Sequence, residues 1–439
     1  MKIHRKTHNY LKSLINKNSP PHDVILLGGA RQVGKSTLIK DVLDDYKNVC
    51  QVNLEEDVIL AKKIDQTSSF DEFEYLIKTT LGFNPLLNQI LFIDEAQESK
   101  KLGSYVRFIK EKWEKTKCIL TGSSMKNLFQ DRAPVGRVQS LTLGPLSFYE
   151  FLCGNKRDGL VPIIDDFIKN RHVSDFFHKE FLENFDRYLQ IGGLPEVVTT
   201  HLKSGDYRLK RAGLLKLQED DFLRKEIFKK QYLFRDCLRG VANHLGSPSS
   251  LVHISENSYN AKEIISLMTK WNLIHEVEQH GFASTTHYHP KRYVYDVGIA
   301  QDIRNMPFPR LSVLETRDPA LRTQLGGIFE NAVLISLKEH KMGQVDISGW
   351  KKSPHDSAEV DFVLRTEKTI PIECKASLKV TPRAFANIRQ YLKLAGVATG
   401  FLISLAPFEI FKDMDFQLIN LPVYLCRVDI IEALANEYY

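Results

Sequence analysis

Gly29, followed after four residues by Gly34-Lys35-Ser36, places a G-x-x-x-x-G-K-[ST] spacing inside the run "GGARQVGKST" (28–37). That spacing suits phosphate chemistry. Glycines let the backbone turn its N–H groups inward around phosphate oxygens, so Gly29, Ala30, Arg31, Gln32, Val33, Gly34 and Thr37 are expected to form the cradle. Lys35 would reach the β- and γ-phosphates, and the Ser36 hydroxyl would ligate Mg²⁺. The bland alternative is a turn before a helix with a surface lysine. Downstream, "ILFIDEAQ" ends an apolar run in Asp94-Glu95, and carboxylates there would be costly without a partner. Asp94 fits a Mg²⁺ carboxylate and Glu95 the base that orients or deprotonates an attacking water. An aspartate capping the next helix is the competing reading. Thr121, Ser123 and Ser124 of "ILTGSS" should emerge beside Asp94, where a hydroxyl such as that of Ser123 would sense the γ-phosphate. Arg132 and Arg137, in "QDRAPVGRV", are candidates for a cation reaching a phosphate in this or a neighbouring subunit.

A second constellation lies in "SAEVDFVLRTEKTIPIECKAS" (357–377). With residues 366–368 as a hairpin turn, Asp361 falls opposite Glu373 and Glu359 opposite Lys375. Period two then puts these four on one face, with Val360, Phe362, Leu364, Ile370, Ile372 and Cys374 on the other; a bulge would shift the register. Such a face suits a metal-dependent phosphodiesterase. Asp361 and Glu373 would hold Mg²⁺, and Lys375 would position the nucleophile or stabilise developing charge. Glu330, in "GGIFENAVLISL", would close the site from a helix. The E-x-K spacing alone is weak, since Glu98-Ser99-Lys100 and Glu339-His340-Lys341 repeat it. A solvated face with cross-strand ion pairs is the alternative.

Parallel strands with crossover helices must position the first site. Apolar runs at 24–27, 49–54, 89–94, 118–122 and 138–143 alternate with helical patterns, and several are apolar on both faces. From 146 to about 230 the texture is helical, broken by "IGGLPEVV". Helices and a hairpin over 232–305 suggest a winged helix-turn-helix, with "KEIISLMTKWNLIHEV" (262–277) as its recognition helix and following strand. Its lysines, Lys262 and Lys270, favour phosphate contact and Glu263 opposes it. The Pro-containing stretch 306–322 reads as a linker, followed by a smaller α/β unit. At 439 residues the chain has room for several domains, and a formal charge of +6 is compatible with nucleic acid without pointing to it. Six scattered cysteines without a CxxC pair, and the lack of an h-region or long apolar run, point to a reducing cytoplasm and no membrane.

Taken together, "GGARQVGKST", "ILFIDEAQ", "ILTGSS", "GPLSFYEFL", "GGLPEVV" and "HPKRYVYDVGIA" resemble prokaryotic AAA-type ATPases that carry a helical lid, a winged helix and a C-terminal restriction-endonuclease-like domain. The resemblance covers nearly the whole chain and implies ATP, not GTP. Asp361, Glu373-x-Lys375 and the preceding helical Glu330 resemble the PD-(D/E)xK nucleases, with Val360 departing from the family's proline. The expected fold class is multidomain α/β: a P-loop parallel α/β/α core (1–145), a helical lid (146–231), a winged helix (232–305), a linker (306–322) and a nuclease-like α/β domain (323–439). The expected function is a Mg²⁺-dependent ATPase whose nucleotide state controls the C-terminal domain, with DNA or RNA and further copies of the chain as expected partners. The alternative is an ATP-dependent DNA- or protein-binding switch with a catalytically silent nuclease-like domain.

Overall fold

The computed structural model describes residues 3, 5–16, 24–123, 128, 138–155, 157–226, 231–282, 288–304, 309–315, 318–353, 356–413 and 415–437. Five strands, β1 (Val24–Gly28), β2 (Val49–Asn53), β3 (Ile90–Asp94), β4 (Lys117–Thr121) and β5 (Val138–Thr142), form an all-parallel sheet in the order β2-β3-β4-β1-β5. Alternation sorts their side chains onto two covered faces. Ile25, Leu27, Phe92 and Ile119 join one core, while Val24, Leu26, Leu91, Ile93 and Leu120 join another with the helices Phe70–Leu81 and Leu102–Lys112. Both faces must be apolar because crossover helices bury both. In this order β4 lies between β1 and β3, so the carboxyl ends of all three converge.

Helices follow. Phe148–Gly154 opens with a capping box in which Ser147 and Glu150 satisfy each other's backbone N–H groups. Asp175–Ile191 stops at Gly192, whose φ of 88° and close approach to Asp296 admit no side chain: an added Cβ would lie 2.5 Å from Asp296 Oδ1. Asp296, fully buried, accepts hydrogen bonds from Gly193 N (2.6 Å) and Ile299 N (2.9 Å). "GGLPEVV" and "YDVGIA" are therefore two sides of one junction. The helices Pro195–Ser204, Tyr207–Lys225, Gln231–Asn243 and Ser258–Lys270 lead to an antiparallel pair, β6 (Ile274–Val277) and β8 (Lys291–Val294).

The C-terminal sheet is mixed. Its order is β13 (Glu409–Lys412), β14 (Gln417–Pro422), β12 (Thr399–Ser404), β11 (Thr369–Lys375), β10 (Glu359–Arg365), β9 (Asp346–Lys351) and β7 (Gln279–His280). The helix Pro319–Glu339 covers one face, with Ile328 and Phe329 in the same core as Phe362, Ile372 and Phe401. Ala386–Ala395 covers the other through Ile388 and Leu392 against Leu402 and Leu418. The edge strand β7 comes from the stretch expected to form the winged helix, so this sheet reaches back across residues 306–322. One apolar cluster runs unbroken from Leu11 to Ala435. Among the described residues no helix is long and apolar enough to cross a membrane.

The 357–377 hairpin turns at 366–368, and Phe362 pairs with Ile372 and Leu364 with Ile370, the expected register. Facing β9, however, the ladder shifts between Val360 and Val363. This irregularity changes the expected faces. Val360 packs with Trp350, Val363 and Tyr391, not with Phe362 and Leu364. An extra residue in one strand breaks period two locally, which turns the neighbouring side chains.

Candidate phosphate site and carboxylate cluster

The loop after β1 has the strain its composition anticipates. Gly29 adopts φ 146° and Gly34 φ 93°, where L side chains rarely go, and Gln32 is left-handed at 65°. The helix Lys35–Leu43 starts at once, which aims its first N–H groups at the loop. Lys35 is buried, and its ammonium donates to Gly29 O and Ala30 O, both at 2.9 Å. Burial lowers its pKa, against which Glu95 and Asp94 pull upward. An arriving triphosphate would exchange these two carbonyls for phosphate oxygens. Ser36 is half-buried and Thr37 exposed at the head of this helix, Val33 is fully buried, and Ala30 is nearly so. Gly29 has no room for change: a Cβ would stand 2.2 Å from Leu143 O. Gly29→Ala is expected to cost about 1–3 kcal/mol in backbone strain alone and to weaken ATP binding. Thermal unfolding and titration with a fluorescent ATP analogue would read both, and unchanged affinity would contradict the close-approach argument.

Asp94, at the end of β3, is buried and held from three sides. Thr121 donates to its Oδ1, Glu95 N lies 3.1 Å from the same oxygen, and Asn53 Nδ2 is 3.5 Å from Oδ2. The partner that the apolar run demanded is thus a hydroxyl from β4. Glu95 follows in a left-handed conformation, φ 49°. Gln97 Nε2 donates to Glu95 Oε2 at 2.5 Å and reaches Ser123 Oγ at 3.5 Å. Lys35, Asp94, Glu95, Thr121 and Ser123 therefore share one sheet edge. Ser124, Arg132 and Arg137 lie outside the described residues.

Arg31 does not turn toward the loop's interior. Its guanidinium pairs with Glu55 and, at 2.7 Å, with the buried Asp221 of the helix Tyr207–Lys225. From the same helix, Gln218 Nε2 donates to Arg31 O at 3.0 Å, and Tyr295 OH donates to Gln218 Oε1 at 2.6 Å. Arg5 grips the loop from the other side. It donates to Val33 O and to Gly144 O (3.0 Å), and pairs with Glu150 at 2.6 Å.

The C-terminal carboxylates converge, but around an ammonium. Lys291, the first residue of β8, is fully buried, with Nζ 2.6 Å from Asp361 Oδ1, 3.1 Å from Glu330 Oε1 and 3.4 Å from Glu359 Oε1. Tyr293 OH donates to Glu330 as well. Asp361 Oδ2 accepts from Cys374 N at 2.7 Å, while the buried Glu373 Oε2 has no hydrogen-bond partner among the described residues. Burial, then Asp361, pushes the Glu330 carboxyl up to about 8 and the Glu373 carboxyl well above its usual range. Burial opposes the charge on Lys291, but Asp361 and Glu330 outweigh it and hold the ammonium well above its ordinary value. Glu359, expected opposite Lys375, instead meets Lys291 and Lys351 (3.8 Å), and Lys375 donates to Ala384 O at 3.4 Å. Among the described residues no three His, Cys, Asp or Glu side chains are arranged to hold a metal ion. As placed, this donor set is filled by a lysine and does not fit Mg²⁺.

Motif and spacing do not single out Lys291, Tyr293 and Tyr295, nor Gln218 and Arg5. The run Lys291-Arg292-Tyr293-Val294-Tyr295 has a single aliphatic side chain among charged and polar-tipped ones, and that pattern names no partner.

Residues 21–152 match the family model of the AAA domain. Residues 182–309 and 325–424 match two models described as domains of unknown function, DUF8612 and DUF4143. No curated protein matches the chain. Among solved structures, the chain is similar to the Walker-type ATPase PABY2304 of Pyrococcus abyssi, at 18% identity over 69% of this chain and 96% of that one, TM-score 0.45. It is also similar to PCH-2 of C. elegans, at 15% identity over 45% of this chain and 57% of that one, TM-score 0.26. With the strained loop after β1, the Asp94-Glu95 strand end and the AAA match over the same residues, the chain is an ATP hydrolase with a P-loop AAA-type core.

Proposed function

We propose that ATP hydrolysis at the 28–37 loop drives a switch whose output is a C-terminal nuclease-like unit directed at nucleic acid. In this reading residues 146–231 form a helical lid and 232–305 a winged helix. Lys35 contacts the β- and γ-phosphates, Glu95 orients the attacking water, and Gln97 holds Glu95 while touching Ser123. The oxygen donors at this sheet edge fit a hard cation, so Ser36 and Asp94 would hold Mg²⁺. Bound there, Mg²⁺ would neutralise charge on the transferring phosphoryl group.

The observation that carries the reading is the path Arg31 O–Gln218–Tyr295. It joins the phosphate loop to the same short segment that ends, at Lys291 and Tyr293, on Glu330 and Asp361. An extended segment of five residues spans about 13 Å as a stiff element, so a shift of Arg31 is felt at the carboxylates. The surface offered to nucleic acid is the outer side of Ser258–Lys270. There Tyr259 and Lys262 are exposed, a ring to stack and a cation for phosphate, while Ala261, Ile264 and Met268 point inward. A second reading, a docking switch with a silent C-terminal domain, is favoured by the lysine lodged among the carboxylates.

The test incubates the protein with Mg²⁺ or Mn²⁺ and DNA or RNA, with and without ATP, beside Glu373→Ala. Cleavage lost in the variant supports cutting by Asp361, Glu373 and Lys375. ATP turnover stimulated by DNA or RNA without cleavage supports docking. ATP turnover indifferent to both nucleic acids and to Tyr295→Phe overturns the switch.

A further inference from the structure

Glu95 keeps a left-handed backbone, φ 49°, which a residue with a side chain holds only where its surroundings fix it. The residues after it, Ala96–Glu98, form a single 3₁₀ turn that Glu95 itself begins, with Glu98 N donating to Glu95 O at 3.0 Å. Gln97 of that turn holds the Glu95 carboxylate, and just beyond it Ser99 Oγ donates to Asp65 Oδ1 at 2.7 Å. The last side chain of the turn, Glu98, makes an ion pair with Lys225, which lies 127 residues away and ends the helix Tyr207–Lys225.

The same helix holds the other flank of the site. Gln218 donates to Arg31 O, and Asp221 pairs with the Arg31 guanidinium. Gln218, Asp221 and Lys225 are three and four residues apart, so they fall on one side of the helix. That side touches both the phosphate loop after β1 and the turn after β3, the segments that flank the end of β4 with its Thr121. The helix end is itself seated. Phe222 packs edge-on against the buried Trp271, ring centroids 5.4 Å apart, and Trp271 Nε1 donates to Glu226 Oε1 at 2.9 Å.

We propose that Lys225 is a positioning residue for ATP hydrolysis: through Glu98 it clamps the Ala96–Glu98 turn and so sets where Glu95 meets the attacking water. This rests on the reading of Glu95 as the residue that orients that water, and it names what fixes Glu95 in place. The two side chains of the pair are 23% and 27% exposed, and an ion pair so open to water contributes little to stability. Its weight lies in geometry. A reacting group misplaced by about 1 Å loses on the order of 10²-fold in rate, while the binding of nucleotide need not change.

Steady-state ATP turnover, titration with a fluorescent ATP analogue and thermal unfolding of the full-length protein test this together. Lys225→Met is expected to lower kcat by roughly tenfold or more, with analogue affinity and melting temperature close to those of the wild type. Lys225→Arg should keep most of the rate. The swap Lys225→Glu/Glu98→Lys should recover the rate that Lys225→Glu and Glu98→Lys each lose, which a structural fault at either position would not allow. Should Lys225→Met fail to fold, Glu98→Gln takes its place in all three measurements. A wild-type kcat in the folded variant, a loss of analogue affinity in place of kcat, or a swap no faster than its single variants would overturn the proposal. Glu95→Gln, run alongside, separates the clamp from the reading beneath it. If Glu95→Gln turns over at the wild-type rate, both fall; if it is inactive while Lys225→Met is unimpaired, only the clamp falls.

Discussion

Glu95→Gln is expected to lower ATP turnover by about 10²–10⁴-fold while ATP still binds, because a positioned base contributes roughly that much. The amide keeps the shape of the side chain and loses the proton acceptor. The backbone and a neighbour both fix Glu95 in place. It sits at φ 49° after the last residue of β3, and Gln97 holds its Oε2 at 2.5 Å. Lys35→Ala is expected to fail earlier, at binding. Its ammonium is buried and bonded to loop carbonyls, so removal leaves Gly29 O and Ala30 O without their donor and the phosphates without their cation. Phosphate release and equilibrium titration with a fluorescent ATP analogue separate the two. Turnover retained in Glu95→Gln would remove Glu95 from the chemistry, and tight binding by Lys35→Ala would remove the lysine from the phosphates.

Arg5→Met should be the most destabilising single change at the base of the core, by about 3–5 kcal/mol, the cost of breaking a buried ion pair from one side. Glu150 is 1% exposed, and its carboxylate also accepts from Lys6 N and Ser147 N. Without the guanidinium it becomes an uncompensated charge, and Val33 O and Gly144 O lose their donor. Removing both charges should hurt less, so Arg5→Met/Glu150→Leu is expected to unfold at higher urea than Arg5→Met alone. The single variant should also bind ATP more weakly, because Val33 belongs to the phosphate loop. A midpoint for Arg5→Met close to the wild type would show that the pair carries no such weight.

The geometry of the candidate phosphate site was legible because its parts are local. A loop of fixed spacing between a buried strand and a helix contains its own glycines, lysine and serine within ten residues, and the strand-end Asp94-Glu95 is read from the apolar run before it. The hairpin register was legible for the same reason, since a three-residue turn sets the pairing of its flanks. What escaped was set by contacts far apart in the chain. The irregularity at 360–363 arises where β10 meets β9, a strand outside the hairpin. Arg31 enters the motif through its backbone N–H, and local pattern says nothing of its side chain and carbonyl, which Asp221 and Gln218, some 190 residues on, claim.

The amino-acid order by itself determined an α/β chain with a nucleotide loop, the residues able to handle a triphosphate, and an acidic hairpin downstream. Spacing and periodicity encode these, and both act over a few residues. Tertiary structure alone decided what neutralises that hairpin. Lys291 reads in sequence as one more strand residue, and only the packing of β8 against β10 and the helix Pro319–Glu339 brings its ammonium to 2.6 Å from Asp361. Buried charge must find a partner wherever the fold supplies one, and a partner 70 residues away leaves no trace in local pattern.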